Sequence, residues 1–148
     1  MATIVEQLKQ ASLSEEEKQQ QVIDEIVNYF NEKLNAPEFE EDILKYCSSK
    51  DAIINRKEWM DTEFWGWSSG CSDTRFRTAR ITWENPENPQ GYKSYYYKDV
   101  DLHKIQKQIG PKLLQMTVDK FKSLGFNVSV EDQESWLQYY HKRVTISW

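Results

Sequence analysis

The sequence predicts a single α+β domain, with N-terminal helices and one long kinked helix packed on an antiparallel sheet of about four strands. Apolar side chains recur at helical spacing in residues 15–47. Residues 102–124 carry a broad apolar stripe. The segments FNVSV and RVTISW then alternate apolar and polar residues, as half-buried strands do. A chain of 148 residues fits one domain and can bury a core without disulfides or metal.

The N-terminal helices have recognisable start signals. Thr3 with Glu6, and Ser14 with Glu17, both fit a capping box, in which a hydroxyl caps the first amides and a Glu three residues later reaches back. These boxes predict helices over 4–11 and 15–34. Pro37 suits the first turn of a helix and predicts the next one over 37–47.

The long C-terminal helix is predicted over 102–124, ended by Gly125 in a left-handed cap. Pro111 removes one internal hydrogen bond, so we expect a kink or two segments, about 102–109 and 111–124. Because the apolar spacing continues across Gly110-Pro111, one bent helix is favoured over two separate ones.

The sheet is predicted to draw on four segments. Residues 74–83 are rich in β-branched and aromatic side chains and predict a strand. The Pro- and Gly-containing stretch 85–91 predicts a turn, which makes 92–98 the returning strand of a hairpin. Two further strands are predicted over 126–131 and 143–148. The composition of Ser68–Asp73 predicts a loop.

Charge divides the chain into an acidic helical part (1–50) and an aromatic-rich sheet-and-helix part (51–148). Counted over 1–64 the balance is −8, from seven basic and fifteen acidic residues, and over 65–148 it is +3. The total of −5 argues against bulk attraction to nucleic acid or acidic membranes. The start of the sequence lacks a signal-peptide pattern and no apolar run could cross a bilayer, so we expect a cytoplasmic location with no membrane contact.

Residues able to do chemistry are few and lack a recognisable pattern. Asp99, Asp101 and His103 alternate and could gather metal ligands, but helix capping and solvation explain them more simply. Cys71 with His141 or His103 could pair as nucleophile and base, yet no local signature supports catalysis. A disulfide between Cys47 and Cys71 stays open, although a reducing compartment favours free thiols. We expect no metal site and no cofactor.

The unusual feature is a stretch, residues 59–97, in which aromatic and basic side chains are interleaved. Protein interfaces concentrate aromatics and Arg at their hot spots, and the same mixture can stack bases and neutralise phosphates. Half of these rings could equally fill the inner face of the sheet, because alternate residues of a strand point inward. The residues predicted to bind a partner are Trp65, Trp67, Arg75, Arg77, Arg80, Tyr95 and Tyr97.

The stretch LLQMTVDKFKSLGFNVSVED, followed by RVTISW, resembles the helix-strand-strand ending of small phage-encoded accessory proteins. The resemblance covers about the last forty residues. It implies an α+β fold and a viral origin, and it carries over no functional residue.

Three hypotheses of function follow. The leading one is a non-enzymatic interaction or accessory factor that acts on a host or viral protein. The second is a nucleic-acid or nucleotide binder that uses the Arg/Tyr hairpin of 74–83 and 92–98. The third is an enzyme or metalloprotein of an unfamiliar type. The sequence leaves the oligomeric state open.

Overall fold

The computed structural model describes residues 3–11, 14–48, 67–84, 96–132 and 141–148, and the predicted α+β class is confirmed within them. Three helices come first, α1 (Ile4–Ala11), α2 (Glu15–Leu34) and α3 (Pro37–Ser48). Four strands come next, β1 (Trp67–Asp73), β2 (Thr78–Glu84), β3 (Tyr96–Tyr97) and β4 (Val100–Asp101). Helix α4 (Leu102–Ser123) and strands β5 (Asn127–Asp132) and β6 (His141–Ser147) complete the described chain.

The first two helices begin at the predicted capping boxes. Thr3 Oγ1 accepts a hydrogen bond from Glu6 N–H at 3.1 Å, while Glu6 Oε2 accepts one from Thr3 N–H at 3.3 Å. Ser14 Oγ accepts from Glu17 N–H at 3.2 Å. Each box satisfies amides that would otherwise be unpaired at a helix start, so the predicted helix bounds are confirmed.

Helix α4 is one continuous helix that contains Pro111, so the alternative of two separate segments is wrong. The missing proline N–H leaves the carbonyl of Lys107 without its usual partner. Lys107 is exposed, so water can take the place of that partner.

The end of α4 is fixed by Gly125, at φ +97°, as predicted. Gly125 N–H donates to the carbonyl of Lys122 at 3.0 Å, and Phe126 N–H donates to that of Phe121 at 3.2 Å. These two bonds and an edge-on contact between the two phenylalanine rings, 5.8 Å apart, form a complete Schellman cap.

The main sheet has four antiparallel strands in the order β1-β2-β6-β5. The predicted loop over Ser68–Asp73 is wrong, because these residues form most of β1 and pair with β2. The predicted strand over 74–83 is displaced: Thr74–Arg77 make the turn of the β1–β2 hairpin, and β2 begins at Thr78. The predicted strands over 126–131 and 143–148 correspond to β5 and β6.

The predicted pairing of 74–83 with 92–98 is also wrong. Tyr96 and Tyr97 pair instead with Val100–Asp101, in a separate two-stranded sheet. Lys98 and Asp99 join these strands with φ of 49° and 64°, the left-handed values that a tight two-residue hairpin turn needs. Residues 85–95 lie outside the described chain, and the predicted turn over 85–91 lies among them.

The core lies between one face of the main sheet and the helices. Ala79, Ile81 and Trp83 of β2, together with Val144 and Ile146 of β6, are buried on that face. Phe30 of α2 meets the Trp83 ring edge-on at 6.2 Å, and Phe39 of α3 packs on Phe121 of α4 at 5.8 Å. Of the described rings, these four and Tyr46 of α3 are buried in the core and are therefore structural.

Helices α2 and α4 run side by side in the same direction. Near their starts, Lys104 Nζ lies 3.3 Å from Glu15 Oε1. Near their ends, Lys120 Nζ lies 3.4 Å from Asn35 Oδ1. The two helices therefore define two ends of the domain. We call the end that carries α1 the start end, and the end that carries the Gly125 cap the finish end.

Candidate functional site

The seven residues predicted to bind a partner fall in three groups. Arg75 and Arg77 lie in the β1–β2 turn, and Arg80 lies on β2; all three are exposed. Trp67 begins β1 and Tyr97 ends β3, where only their backbone is described. Trp65 and Tyr95 lie outside the described residues. The described arginines are therefore brought together on one hairpin.

The turn holds Arg75 in place. The Asp73 carboxylate accepts hydrogen bonds from the Arg75 backbone N–H and from its Nε, both at 3.1 Å, and from its Nη2 at 3.0 Å. The Arg75 guanidinium carbon lies 5.5 Å from the centre of the Phe76 ring. A bidentate pair of this kind orients the guanidinium plane against the ring, in the cation–π range.

Phe76 projects from the turn with 71% of its surface exposed. Its neighbour Arg77 is held at φ 49°, and the Arg77 carbonyl accepts the Trp148 N–H at 3.1 Å. The Arg77 guanidinium makes no ion pair with any described residue. A ring between two arginines at a rigid turn is an unusual exposed feature. We call Arg75, Phe76, Arg77 and Arg80 the arginine surface.

The sheet face away from the helices continues the arginine surface. In register, Arg80 lies opposite Thr145, and Thr82 opposite Arg143, so the two arginines are diagonal neighbours on that face. Diagonal neighbours on a sheet stand about 7–8 Å apart. The face is otherwise polar, with Glu131 opposite Arg143 and further side chains Thr78, Ser147, Asn127 and Ser129. This face therefore offers cations, hydroxyls and the carboxylate of Glu131.

A second candidate site is an apolar groove at the finish end. The groove has a volume of about 290 Å³ and lies between α3, the α4 cap and the residue after β6. The residues that line it are Ile43, Leu44, Cys47, Ser48, Leu124, Gly125, Phe126 and Trp148. Phe126 and Trp148 meet edge-on with ring centres 6.0 Å apart. Leu44 is 71% exposed and Trp148 38% exposed. We call this feature the terminal groove.

Cys47 contributes an unreactive thiol to the terminal groove. It forms no disulfide. Burial raises the pKa of Cys47 from 9.0 to about 11, because the apolar surroundings disfavour the thiolate. Since the thiolate is the nucleophile, Cys47 is protonated and inert near neutral pH. The groove is thus suited to apolar contact.

The start end carries a third feature, the outward apolar face of α1. Ile4 is 74% exposed and Leu8 64% exposed, with Val5 beside them. All described side chains of α1 are exposed. Glu6, Gln7 and Ala11 line an open cleft of about 940 Å³ against residues of α2 and the β3–β4 turn. Helix α1 therefore turns its apolar face to solvent. We call Ile4, Val5 and Leu8 the α1 face.

Comparison of the chain with family models, with curated proteins and with solved structures finds no match. None of the described helices has both the length and the apolar character that crossing a bilayer requires.

The candidate chemical residues are not gathered in the described part of the chain. Asp99 lies in the β3–β4 turn and Asp101 ends β4, and no three potential metal ligands among the described side chains come together. Cys71 pairs with Arg80 in the sheet and His141 with Glu84, both known here by backbone alone.

The arginines were predicted from the sequence and, as binding residues, stay a prediction, whereas neither a role for Phe76 nor the terminal groove was predicted. Phe76 lies in the aromatic and basic stretch 59–97, and the sequence pattern alone gives it no separate role. The sequence does distinguish Leu44, because this residue lies beside the apolar row of Phe39, Ile43 and Cys47 on α3 and is not part of that row. No local pattern joins Leu44 to Trp148, because they meet only through the fold.

Proposed function

We propose that this protein is a non-enzymatic interaction factor, and that its arginine surface binds an acidic segment of a partner protein. The observation that carries the proposal is Phe76, exposed at a fixed turn between Arg75 and Arg77. Aromatic residues and arginines are the residue types that are enriched at protein interfaces and their hot spots. A viral origin, with a host or viral protein as the partner, belongs to the same proposal and rests on the resemblance of the C-terminal residues alone.

The charges on the hairpin favour an acidic partner. Asp73 already neutralises Arg75, and it thereby fixes that side chain over Phe76. Arg77 and Arg80 are exposed and add two further positive charges. A partner carboxylate can therefore pair with Arg77 or Arg80 while an aliphatic side chain packs on the free side of the Phe76 ring. The rigid turn lowers the entropy lost when these contacts form.

The proposal is tested with a defined probe. A fluorescent peptide rich in Glu and Leu is titrated with the full chain and compared with the same peptide carrying Lys in place of Glu. We expect binding of the acidic peptide only. Phe76→Ser and Arg77→Asn should each raise its dissociation constant at least about tenfold, since loss of a hot spot costs 1–2 kcal/mol or more. Asn is chosen because it tolerates the positive φ of position 77.

The matched control is Lys107→Ser, which removes an exposed cation from α4, away from the hairpin. It should leave the affinity unchanged. Equal binding of the acidic and basic peptides, or no effect of the two hairpin substitutions, rejects the arginine surface as the binding site.

A second candidate function, binding of nucleic acid, is favoured by one observation. Arg80 and Arg143 are diagonal neighbours on a hydroxyl-bearing sheet face. This face replaces the Arg/Tyr hairpin of the sequence hypothesis, because Tyr97 pairs in the separate small sheet. Titration with a short single-stranded DNA at several salt concentrations decides the matter. Phosphate contact requires an affinity that falls steeply as salt rises; binding insensitive to salt, or none, removes this candidate.

A further inference from the structure

Two apolar surfaces stand uncovered at opposite ends of the described domain. The α1 face at the start end is convex and formed by one helix. The terminal groove at the finish end is concave and lined by apolar side chains from three elements. An amphipathic helix laid into an apolar groove is a recurring mode of protein recognition, with anchors one helical turn apart. Ile4 and Leu8 have that spacing.

The sizes of the two surfaces match. The groove holds about 290 Å³, close to the lower limit of roughly 300 Å³ for pockets that take up small ligands. That space suits the two branched aliphatic side chains at positions 4 and 8. Leu44 and Trp148 at the groove wall are exposed at present and would be covered by them.

The α1 face cannot reach the groove of its own molecule. The Glu15–Lys104 ion pair places the start of α2 beside the start of α4, and the groove lies at Leu124. Twenty residues of helix, from 104 to 124, span about 30 Å. Only three residues separate Ala11 from Glu15, a reach of at most about 14 Å. Leu8 lies about 5 Å further along α1, so its reach of about 19 Å falls well short.

The charges of the two ends are complementary only in part, because α1 itself carries Glu6 and Lys9, and α3 beside the groove carries four acidic residues against Lys45. Helix α1 precedes the acidic run Glu15–Glu17, whereas Arg77 borders the groove through its hydrogen bond with Trp148, and Lys122 lies in the last turn of α4. Because the complementarity is partial, apolar contact provides the affinity, and the charge difference helps set which end meets which.

We propose that the α1 face of one molecule docks in the terminal groove of a second copy, so that the chain associates head to tail. The contact is heterologous: each copy offers one α1 face and one groove. Such contacts generate open chains or closed rings, in contrast to the simple two-fold dimers of self-complementary surfaces. The contact area is small, so the association is weak and reversible. It uses neither Phe76 nor Arg80, whereas Arg77 borders both the groove and the arginine surface.

Sedimentation velocity of the full chain, over the widest range of concentration that solubility permits, tests the association. We expect the average mass to rise with concentration. Leu8→Glu and Leu44→Glu each place a charge in the contact, and each should weaken association at least about tenfold. Both positions are exposed, so the fold tolerates the change, which circular dichroism checks.

Mixing the two variants provides the decisive measurement. Leu8→Glu keeps an intact groove and Leu44→Glu keeps an intact α1 face. Each alone should stay monomeric, while the mixture should form a species that stops at two chains, because the remaining ends are blocked. Phe76→Ser is the matched control, since Phe76 is as exposed as Leu44; it should associate normally while losing the acidic peptide.

Two outcomes would overturn the proposal. One is a chain that stays monomeric at every concentration. The other is association that Leu8→Glu abolishes, that Leu44→Glu leaves intact, and that mixing does not restore, which would mean that α1 pairs with α1. Neither outcome bears on the arginine surface, whose test is the acidic peptide.

Discussion

Helices α4 and α1 have the same kind of sequence pattern, but the apolar face of α4 is buried and that of α1 is exposed. Both carry apolar residues at helical spacing, and both begin and end near predicted residues. The apolar stripe of α4 is buried along its length against α2 and the sheet, with Leu113 only 1% exposed. The apolar face of α1 points to solvent, with Leu8 64% exposed. Amphipathicity thus predicts that a face needs covering, but the covering surface can belong to another molecule.

The largest expected effect is a loss of stability caused by a substitution in the buried face of α4. Leu113→Ala removes a fully buried side chain and leaves a cavity, so it should lower the free energy of unfolding by about 2–5 kcal/mol. Urea denaturation followed by tryptophan fluorescence measures the change. A loss below 1 kcal/mol, the size of a surface substitution, would contradict the burial of this helix.

The next largest expected effect is a gain in stability, from a second substitution in α4. Gln106 of α4 is 1% exposed, and neither of its amide atoms has a hydrogen-bond partner among the described residues. Because an unsatisfied buried polar group costs about 1–3 kcal/mol, Gln106→Leu should stabilise the protein by up to that amount. Gln115→Leu is the control on the same helix, since Gln115 is exposed and bonded to Asp119 at 2.8 Å. A destabilised Gln106→Leu variant would show that the amide has a role that apolar packing cannot replace.

The end of α4 should be sensitive to backbone conformation alone. A Cβ added at Gly125 would meet nothing within 4 Å, so Gly125→Ala tests only the cost of the positive φ. We expect a loss of about 1–2 kcal/mol. Gly125→Asn should lose less, because Asn adopts left-handed conformations more readily. Equal losses for the two variants in chemical denaturation would argue against the Schellman cap.

The smallest effect is expected for the same leucine substitution on α1. Leu8→Ala should change the free energy of unfolding by no more than about 0.5 kcal/mol when measured on dilute, monomeric protein. At high concentration the same variant should lose self-association. A large loss of monomer stability would mean that the α1 face packs within its own molecule, and the contrast between the two helices would disappear.

The helical layer was predictable from the sequence because local signals determine helix ends. Thr3, Ser14, Pro37 and Gly125 each act on the amides or carbonyls next to them, and the structure places helix bounds within one residue of the prediction. The continuity of α4 through Pro111 was also indicated by its unbroken apolar spacing.

The sheet was harder to predict because pairing is decided at long range. Strand β1 has the composition of a loop, with Ser, Gly and Asp at most positions, yet it pairs with β2 from Ser69 to Asp73. Its turn contains neither Gly nor Pro; the Asp73 carboxylate supplies the hydrogen bond to Arg75 N–H that stabilises it. Only the arginines of the candidate surface were predictable, since the terminal groove joins residues about a hundred positions apart.

The position of β6 has a consequence for biosynthesis. Strand β6 lies between β2 and β5, although it follows both of them in the sequence. The chain is synthesised from its N-terminus, so the β1–β2 hairpin and β5 emerge from the ribosome before β6. Until β6 emerges, one edge of β2 and one edge of β5 lack the strand that pairs with them in the folded sheet. The sheet can therefore close only after β6 has been synthesised, and until then the edges of β2 and β5 that β6 will cover are exposed.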